Sequence, residues 1–374
     1  MPHWIWERDD WPAFRYDPGR LASSLAEAAH AIGRLHGRIE ALQAPERDRA
    51  ALAALLADVV KSSAIEGERL DVETVRSSLA RRLGVDEGNT MAVDRHVEGV
   101  VAMNLDATEQ AAVPLTSDRL KAWQGALFPT GRSGLSAVRV AAWRDDRTGP
   151  MQVVSGPHGR QVVHYQAPPA ERLDAEVARF LRWFESPSSE SPLIRAGLAH
   201  FWFVTLHPFE DGNGRVSRAI GDMALSRYDQ LQYRYYSVSA QIQAERADYY
   251  ARLECSQRGD LDVTSWLAWF LGCLTRAVLR SDAELDRVLH KALFWQRVAT
   301  VPLSERQIKA LNKVIDGFEQ PITNRKWAAL TRVSSDTALR DLKALVAAGV
   351  LEPTAGGGRS AAYWLKGVPR PSEK

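Results

Sequence analysis

Apolar residues recur at helical spacing over most of this 374-residue chain, and this pattern limits the fold more than any other feature. Asp17 is a good N-cap for the first helix, which Pro45 ends. A second helix is expected to stop at Gly67. Helical spacing returns at Leu173 and continues to about Leu293, so the chain is predicted to be mainly α. The first apolar series consists of Leu21, Leu25, Ala28, Ile32, Leu35, Ile39 and Leu42.

The helical pattern is absent between residues 130 and 169. Glycine and proline there separate short β-prone runs, of which 151–154 and 161–165 flank the turn-forming stretch 155–160. Two such runs around a turn predict a β-hairpin.

The C-terminal part has the pattern of a separate small domain. Helices are predicted at 304–318, 323–330 and 334–348, followed by strands 350–352 and 362–365 around a glycine-rich tip. A helix-turn-helix followed by a hairpin is the outline of a winged helix, which adds an α+β unit to a mainly α protein.

Overall composition excludes some classes of function. The 48 basic and 46 acidic residues leave a net charge of +2, which selects neither nucleic acid nor a membrane surface. Two cysteines support neither a disulfide framework nor a four-ligand zinc site. The start of the chain is unlike a signal peptide, and the longest apolar stretch, 266–274, is too short to cross a bilayer. We therefore expect a cytoplasmic protein with no membrane partner.

The first sixteen residues hold five aromatic residues among charges, which predicts an extended arm attached to the body through its rings. We predict three parts of the chain: an aromatic arm with a helical extension (1–58), a central domain (59–295) and the winged-helix-like domain (300–368).

The densest chemical pattern is the segment His-Pro-Phe-Glu-Asp-Gly-Asn-Gly-Arg-Val-Ser-Arg at 207–218. Pro208 disfavours continuation of the preceding helix, so His207 should lie at that helix's C-terminal end. Gly212 and Gly214 allow the backbone to approach a ligand closely. A new helix begins near Gly214, and its free N–H groups and positive dipole end favour an anion in the loop.

The charged side chains of the segment suit transfer of a phosphorus group. Arg215 and Arg218 share one helix face and can bind phosphate. Asp211 offers a hard oxygen ligand for Mg²⁺, and His207 has the pKa range of a general base. Each residue alone has an ordinary structural explanation, and only the combination predicts chemistry.

The segment resembles the motif H-x-F-x-[D/E]-G-N-G-R-x-x-R of the Fic (Fic/Doc) family at every fixed position. The resemblance implies a helical core and transfer of AMP from Mg-ATP to a Ser, Thr or Tyr hydroxyl of a protein. It assigns the catalytic base to His207, the Mg²⁺ ligand to Asp211 and a buried loop anchor to Phe209. It places the ATP phosphates against Gly212, Asn213, Gly214, Arg215 and Arg218, the last of these at the γ-phosphate.

The same resemblance extends to the hairpin and a later helix. The hairpin would be the family's flap, which pairs with the target protein as a β-strand does. Tyr249, Tyr250 and Gln257 fall where the family holds the adenine and ribose, although helix packing explains the two tyrosines equally well. The flap residues are Val153, Val154, Ser155 and Gly156.

Residues 62–67, Ser-Ser-Ala-Ile-Glu-Gly, resemble the family's inhibitory motif [S/T]-x-x-x-E-[G/N]. The resemblance implies that Glu66 pairs with Arg218 and occupies the place of the γ-phosphate. It suggests the self-inhibited class with an N-terminal inhibitory helix, some members of which also remove AMP. A glutamate on a solvated helix end is the alternative interpretation.

Two other functions stay open. The same scaffold could use a donor other than ATP, or the protein could be a DNA-binding regulator whose Fic part senses nucleotide. The segment from 301 to 374 has 12 basic and 7 acidic residues, a local charge of +5. Arg340, Lys343 and Arg359 would favour DNA phosphate, whereas Asp336 and Asp341 would oppose it. The domain could equally contact protein, and a homodimer stays open.

Overall fold

Helices make up most of the computed structural model, which confirms the mainly α prediction. The structure describes residues 3–85, 94–147, 149–156, 160–317, 321–354 and 361–368. The chain divides into two units, Met1–Ser281 and Asp282–Lys374. In the described residues, no helix combines the length and the hydropathy that a membrane crossing requires.

The first unit contains ten helices and the beginning of an eleventh among its described residues. They are α1 (Pro18–Glu40), α2 (Ala44–Ile65), α3 (Val72–Leu83), α4 (Arg95–Glu109), α5 (Ser117–Leu127), α6 (Leu173–Glu185), α7 (Pro192–Leu206), α8 (Asn213–Asp229), α9 (Val238–Ala244), α10 (Arg246–Arg258) and α11 (Thr264–Arg297).

Local sequence signals set the ends of the first helices. The Asp17 carboxylate accepts hydrogen bonds from the Gly19 and Arg20 amides at 2.9 and 3.2 Å, so the predicted N-cap is confirmed. Helix α2 ends at Ile65, and Gly67 follows with a φ of +85°, a left-handed conformation that favours glycine.

Helices α7 and α8 form the centre of the first unit. Almost every residue of α7 is buried, including Phe201 and Phe203, and α8 buries Val216 and Ile220. Burial of each such side chain contributes about 1.5–3 kcal/mol. The loop between the two helices, 207–212, is thereby held between two rigid elements.

Two hairpins interrupt the helices. Strand β1 (Arg132–Ser133) pairs with β2 (Ser136–Ala137), and β3 (Gln152–Ser155) pairs antiparallel with β4 (Val162–Gln166). The second hairpin confirms the strand prediction at 151–165, while residues 157–159 of its turn lie outside the described residues.

The N-terminal arm is anchored by its rings, as predicted, but it is not extended throughout. The Trp6 indole is buried and donates to the Gln166 carbonyl of β4 at 2.8 Å. Residues Ile5–Glu7 form a 3-10 turn instead of extended chain. The turn forms because the Glu7 carboxylate accepts a hydrogen bond from the Trp4 amide at 3.0 Å.

The second unit contains the predicted helix pair and a small antiparallel sheet. The strands at Leu351–Pro353 and Ala362–Leu365 were predicted, whereas the strand at Ile322–Thr323 was not. Ala362–Leu365 lies between the other two strands. Arg359, which the sequence places at the tip of the wing, lies outside the described residues. The elements after α11 are α12 (Glu305–Gly317), β5 (Ile322–Thr323), α13 (Asn324–Thr331), α14 (Ser335–Ala347), β6 (Leu351–Pro353) and β7 (Ala362–Leu365).

The structure corrects the sequence interpretation of Asp341. That residue was expected to oppose DNA together with Asp336, but its side chain is largely buried in the second unit. It accepts hydrogen bonds from Arg306 at 2.7 Å and from the Trp327 indole at 3.3 Å, because a buried carboxylate needs donors. Arg340 and Lys343, on the same helix, are exposed.

Candidate active site

His207 lies at the C-terminal end of α7 in a left-handed conformation, with φ +48° and ψ +55°. Its Nδ1 lies 3.3 Å from the Val204 carbonyl, which can only accept, so Nδ1 carries the proton and Nε2 is left as the basic nitrogen. Burial lowers the pKa of His207 to about 4, against the opposing effect of the Val204 hydrogen bond. The imidazole is therefore neutral at pH 7.

Arg144 holds the backbone of this loop, a role that the sequence did not reveal. Its Nε donates to the His207 carbonyl at 2.8 Å, and its amide donates to the Pro208 carbonyl at 2.9 Å. The rest of the guanidinium pairs with Asp146 at 2.6 Å and donates to the Pro168 carbonyl. The side chain is completely buried. Arg144 is 63 residues from His207, so no local pattern could have connected them.

Phe209 and Asn213 close the loop on itself. The Phe209 ring is completely buried, as the sequence predicted. The Asn213 side chain accepts from the Phe209 amide at 2.9 Å and donates to its carbonyl at 2.8 Å. The Asn213 side chain therefore stabilises the loop, and only its backbone N–H is placed to meet a phosphate at the start of α8. Gly212 has a φ of +90°, and a Cβ there would lie 3.1 Å from Leu127 and Phe128.

The Glu66 carboxylate occupies the start of α8. Its Oε1 lies 2.8 Å from Nη2 of Arg218, whose side chain is only 2% exposed. Ser62 supplies two more acceptors to Arg218, its hydroxyl at 3.0 Å and its carbonyl at 2.9 Å. A Cβ built on Gly214 would overlap the Glu66 carboxylate, so that carboxylate lies directly against the first turn of α8. An anion is favoured at this position.

A second carboxylate, that of Glu68, pairs with Arg215, the other arginine of the motif at 207–218. Glu68 Oε2 lies 2.8 Å from Nη1 of Arg215, while Asp211 is 3.9 Å from Nη2. Glu68 also contacts His96, and that hydrogen bond raises the pKa of His96. Glu68 has no signal in the sequence, because the predicted inhibitory motif ends one residue before it. Both Arg215 and Arg218 are thus paired with carboxylates that follow α2.

Asp211 is the candidate magnesium ligand. Its side chain is 42% exposed, and one carboxylate oxygen accepts from the Gly212 amide at 2.5 Å. The described residues contain no group of three or more His, Cys, Asp or Glu side chains that could hold a metal alone. Mg²⁺ is commonly held by one or two carboxylates together with substrate phosphates. An exposed carboxylate beside a helix N-terminus would therefore fit Mg²⁺ that arrives with a nucleotide.

A cavity of about 600 Å³ lies beside this loop, within the size range of small-molecule sites. It brings together the candidate base, the glutamate of the predicted inhibitory motif, the predicted flap and the residues assigned to the adenosine. Six predicted residues are not part of its lining, namely Gly156, Asp211, Gly212, Asn213, Arg215 and Arg218. The predicted residues that line it are Glu66, Val153, Val154, Ser155, His207, Gly214, Tyr249, Tyr250 and Gln257.

The adenosine candidates differ in exposure. Tyr249 is 1% exposed, and its hydroxyl bonds to His200 at 2.9 Å. Gln257 is also buried and donates to Thr205 at 3.2 Å. Tyr250 keeps 36% of its surface exposed, so it is the most accessible of the three to a ligand.

Fold and site together define a mainly helical protein with a glycine-containing loop at a helix N-terminus, where Glu66 pairs with Arg218. Residues 114–225 match the model of the Fic/DOC family, and residues 4–85 match a domain of unknown function, DUF4172. The chain therefore contains a Fic/DOC family domain, which confirms the resemblance seen in the sequence.

Curated relatives carry the name protein adenylyltransferase Fic. The protein from Drosophila mojavensis is 29% identical over 247 residues, which cover 65% of this chain and 43% of the relative. The protein from Drosophila willistoni is 30% identical over 248 residues, covering 66% and 44%. The chain thus spans less than half the length of these relatives.

Solved structures share the fold. A Fic family protein from Desulfovibrio desulfuricans superposes with a TM-score of 0.56 at 22% identity, covering 96% of this chain and 99% of the other. A Fic domain containing signaling protein from Bacteroides thetaiotaomicron gives 0.51 at 17% identity, covering 68% and 95%.

Proposed function

We propose that this protein is an adenylyltransferase that moves AMP from Mg-ATP to a Ser, Thr or Tyr hydroxyl of a protein, and that Glu66 keeps it inactive. One observation carries the proposal: Glu66 pairs with Arg218 at 2.8 Å and lies against Gly214, in the cavity that His207 also lines. The names of the Drosophila relatives support the reaction.

His207 acts as the base in this proposal. Its neutral ring has Nδ1 committed to the Val204 carbonyl, so Nε2 can take the proton of the incoming hydroxyl. Arg144 fixes the His207 backbone and so limits where the ring can be. The target segment would pair with the flap strand β3, which lines the same cavity.

The start of α8 binds the donor phosphates in this proposal. Its backbone N–H groups, with Arg215 and Arg218, provide positive charge where the triphosphate needs it. Bound Mg²⁺ would neutralise phosphate charge, with Asp211 as its protein ligand. Tyr250 and Gln257 line the part of the cavity assigned to the adenosine.

Inhibition follows from charge. The γ-phosphate and the Glu66 carboxylate would compete for the guanidinium of Arg218. Two negative groups held beside the same guanidinium also repel each other. Glu68 holds Arg215 in the same manner. The nucleotide therefore binds well only after the segment that follows α2 moves or loses its carboxylates.

Labelled ATP and a cell lysate test the proposal. Glu66→Gly should raise AMP transfer to lysate proteins, and the added mass should be one adenylyl group. Glu40→Gly, an exposed glutamate at the end of α1, is the matched control and should leave the rate unchanged. An equal rate in wild type and Glu66→Gly would refute the inhibition. A different mass gain would favour another donor, and bound ATP without transfer would favour a nucleotide sensor.

We keep DNA contact by residues 300–368, as a winged helix, as a second candidate. Exposed Arg340 and Lys343 on α14, with Asp341 turned inward, support it. Full-length protein should shift a DNA probe in a salt-dependent manner, and Arg340→Ala with Lys343→Ala should weaken that shift. No shift at low salt would exclude this function.

A further inference from the structure

A hydrogen-bonded chain of three side chains lies in the cavity, separate from His207. Ser155 at the end of β3 has its Oγ 2.6 Å from Nε2 of His164 on β4. Nδ1 of His164 lies 2.8 Å from Oε2 of Glu254 on α10. All three residues line the cavity. The sequence indicated Ser155 only as a flap residue and gave no signal for His164 or Glu254.

The chemistry of the groups fixes the direction of these hydrogen bonds. A carboxylate only accepts, so Glu254 takes the Nδ1 proton of His164. In the neutral imidazole Nε2 is then the acceptor, and the Ser155 hydroxyl donates to it. A hydroxyl bonded to an imidazole that a carboxylate orients is the arrangement that activates a serine.

Glu254 is itself held in place. Its Oε1 lies 3.1 Å from Arg258, four residues later on α10. The same guanidinium donates to the Val163 carbonyl of β4 at 2.8 Å, so the acid and the strand that carries His164 are fixed to each other. Ser155 is exposed, which leaves its hydroxyl open to a reagent in the cavity.

We propose that Ser155 is an activated hydroxyl that accepts the adenylyl group of ATP within its own chain. This inference rests on the proposed function, because that function supplies ATP to the cavity. Ser155 Oγ attacks the α-phosphorus and forms an Oγ–P bond, while the bond from that phosphorus to the β-phosphate oxygen breaks and pyrophosphate leaves. The Oγ proton passes to Nε2 of His164, and Glu254 stabilises the resulting imidazolium.

The Glu66→Gly variant, incubated with ATP and mapped by peptide mass spectrometry, tests this inference. We expect the flap peptide to gain one adenylyl group on Ser155. In this background Ser155→Ala should remove that adduct from the flap peptide. His164→Gln should slow its formation about 100-fold, the low end of what a general base contributes. Ser136→Ala, an exposed serine on β2, is the control and should change nothing.

Each result decides between the two proposals. If lysate proteins gain AMP while Ser155 stays unmodified, this inference fails and the proposed function stands. If neither is modified, both fail. If His164→Gln slows modification of Ser155 and of lysate proteins equally, the three residues only hold the flap to α10, and the inference is wrong. An adduct on Ser155 that forms at full rate in His164→Gln also refutes it.

Discussion

The ion pair between Glu66 and Arg218 predicts how much the Glu66 carboxylate weakens the binding of ATP. Glu66→Gln keeps the shape of the side chain and removes its charge. In the wild type, ATP must displace a carboxylate from the buried guanidinium, whereas in the variant it displaces only a neutral amide. The variant should therefore bind ATP more tightly.

The size of the effect follows from the geometry of the ion pair. At 2.8 Å and an effective dielectric constant of about 20, the attraction is about 6 kcal/mol before desolvation. The Glu66 side chain is 31% exposed, so solvent screening and desolvation reduce the net value to about 2 kcal/mol. That free energy corresponds to a Kd about 30-fold lower for ATP.

Two measurements on purified protein check this prediction. Calorimetric titration with ATP should give the lower Kd for Glu66→Gln, with Glu40→Gln as the control. Without ATP, the variant should lose about 2 kcal/mol of unfolding free energy, because a neutral amide oxygen replaces the carboxylate beside the buried Arg218 guanidinium. Saturating ATP should restore that stability. Equal Kd values for variant and wild type would refute the argument that the carboxylate and the phosphate share one site.

The remaining predictions concern the loop at 207–212 and the two histidines His207 and His200. In the Glu66→Gly background, His207→Ala should abolish transfer to other proteins and leave the ATP Kd unchanged; transfer at the parent rate would show that His207 is not the base. Burial lowers the pKa of His207 to about 4, so kcat/KM should stay level down to about pH 5, and a fall near pH 6.5 would contradict this. Burial also lowers the pKa of His200, to about 3. Because both pKa values lie below the unfolded value, unfolding free energy should be full above pH 6.5 and fall as the pH drops towards 4, as chemical denaturation can measure. Gly214→Ala should weaken ATP binding even with Glu66→Gly present, because its Cβ would lie where a phosphate approaches α8; an unchanged Kd would mean that the phosphates lie elsewhere.

Features that depend on neighbouring residues could be predicted from the sequence. The N-cap at Asp17, the end of α2 before Gly67 and the β3–β4 hairpin each have a local signal, and the structure confirms them. The motif at 207–218 was recognisable because its glycines, arginines and histidine follow one another within twelve residues.

Features that depend on tertiary contact could not be predicted. The residues next to Arg144 in the sequence do not indicate that its guanidinium binds the His207 carbonyl. The two residues are 63 positions apart, and the packing of the elements between them brings them into contact. Ser155 and Glu254 are likewise joined only by the packing of a hairpin on a helix. Asp341 was misjudged because its position in the sequence does not show that Arg306 lies opposite.

Glu66 and the donor phosphates are proposed to use the same surface of α8, and this limits how the protein could become permanently active by mutation. A change in Arg218 or Gly214 would disturb the contact, but the altered surface would also lose its substrate. A change in Glu66 would leave that surface intact. A genetic screen for unrestrained variants should therefore recover substitutions around the end of α2 and very few in α8.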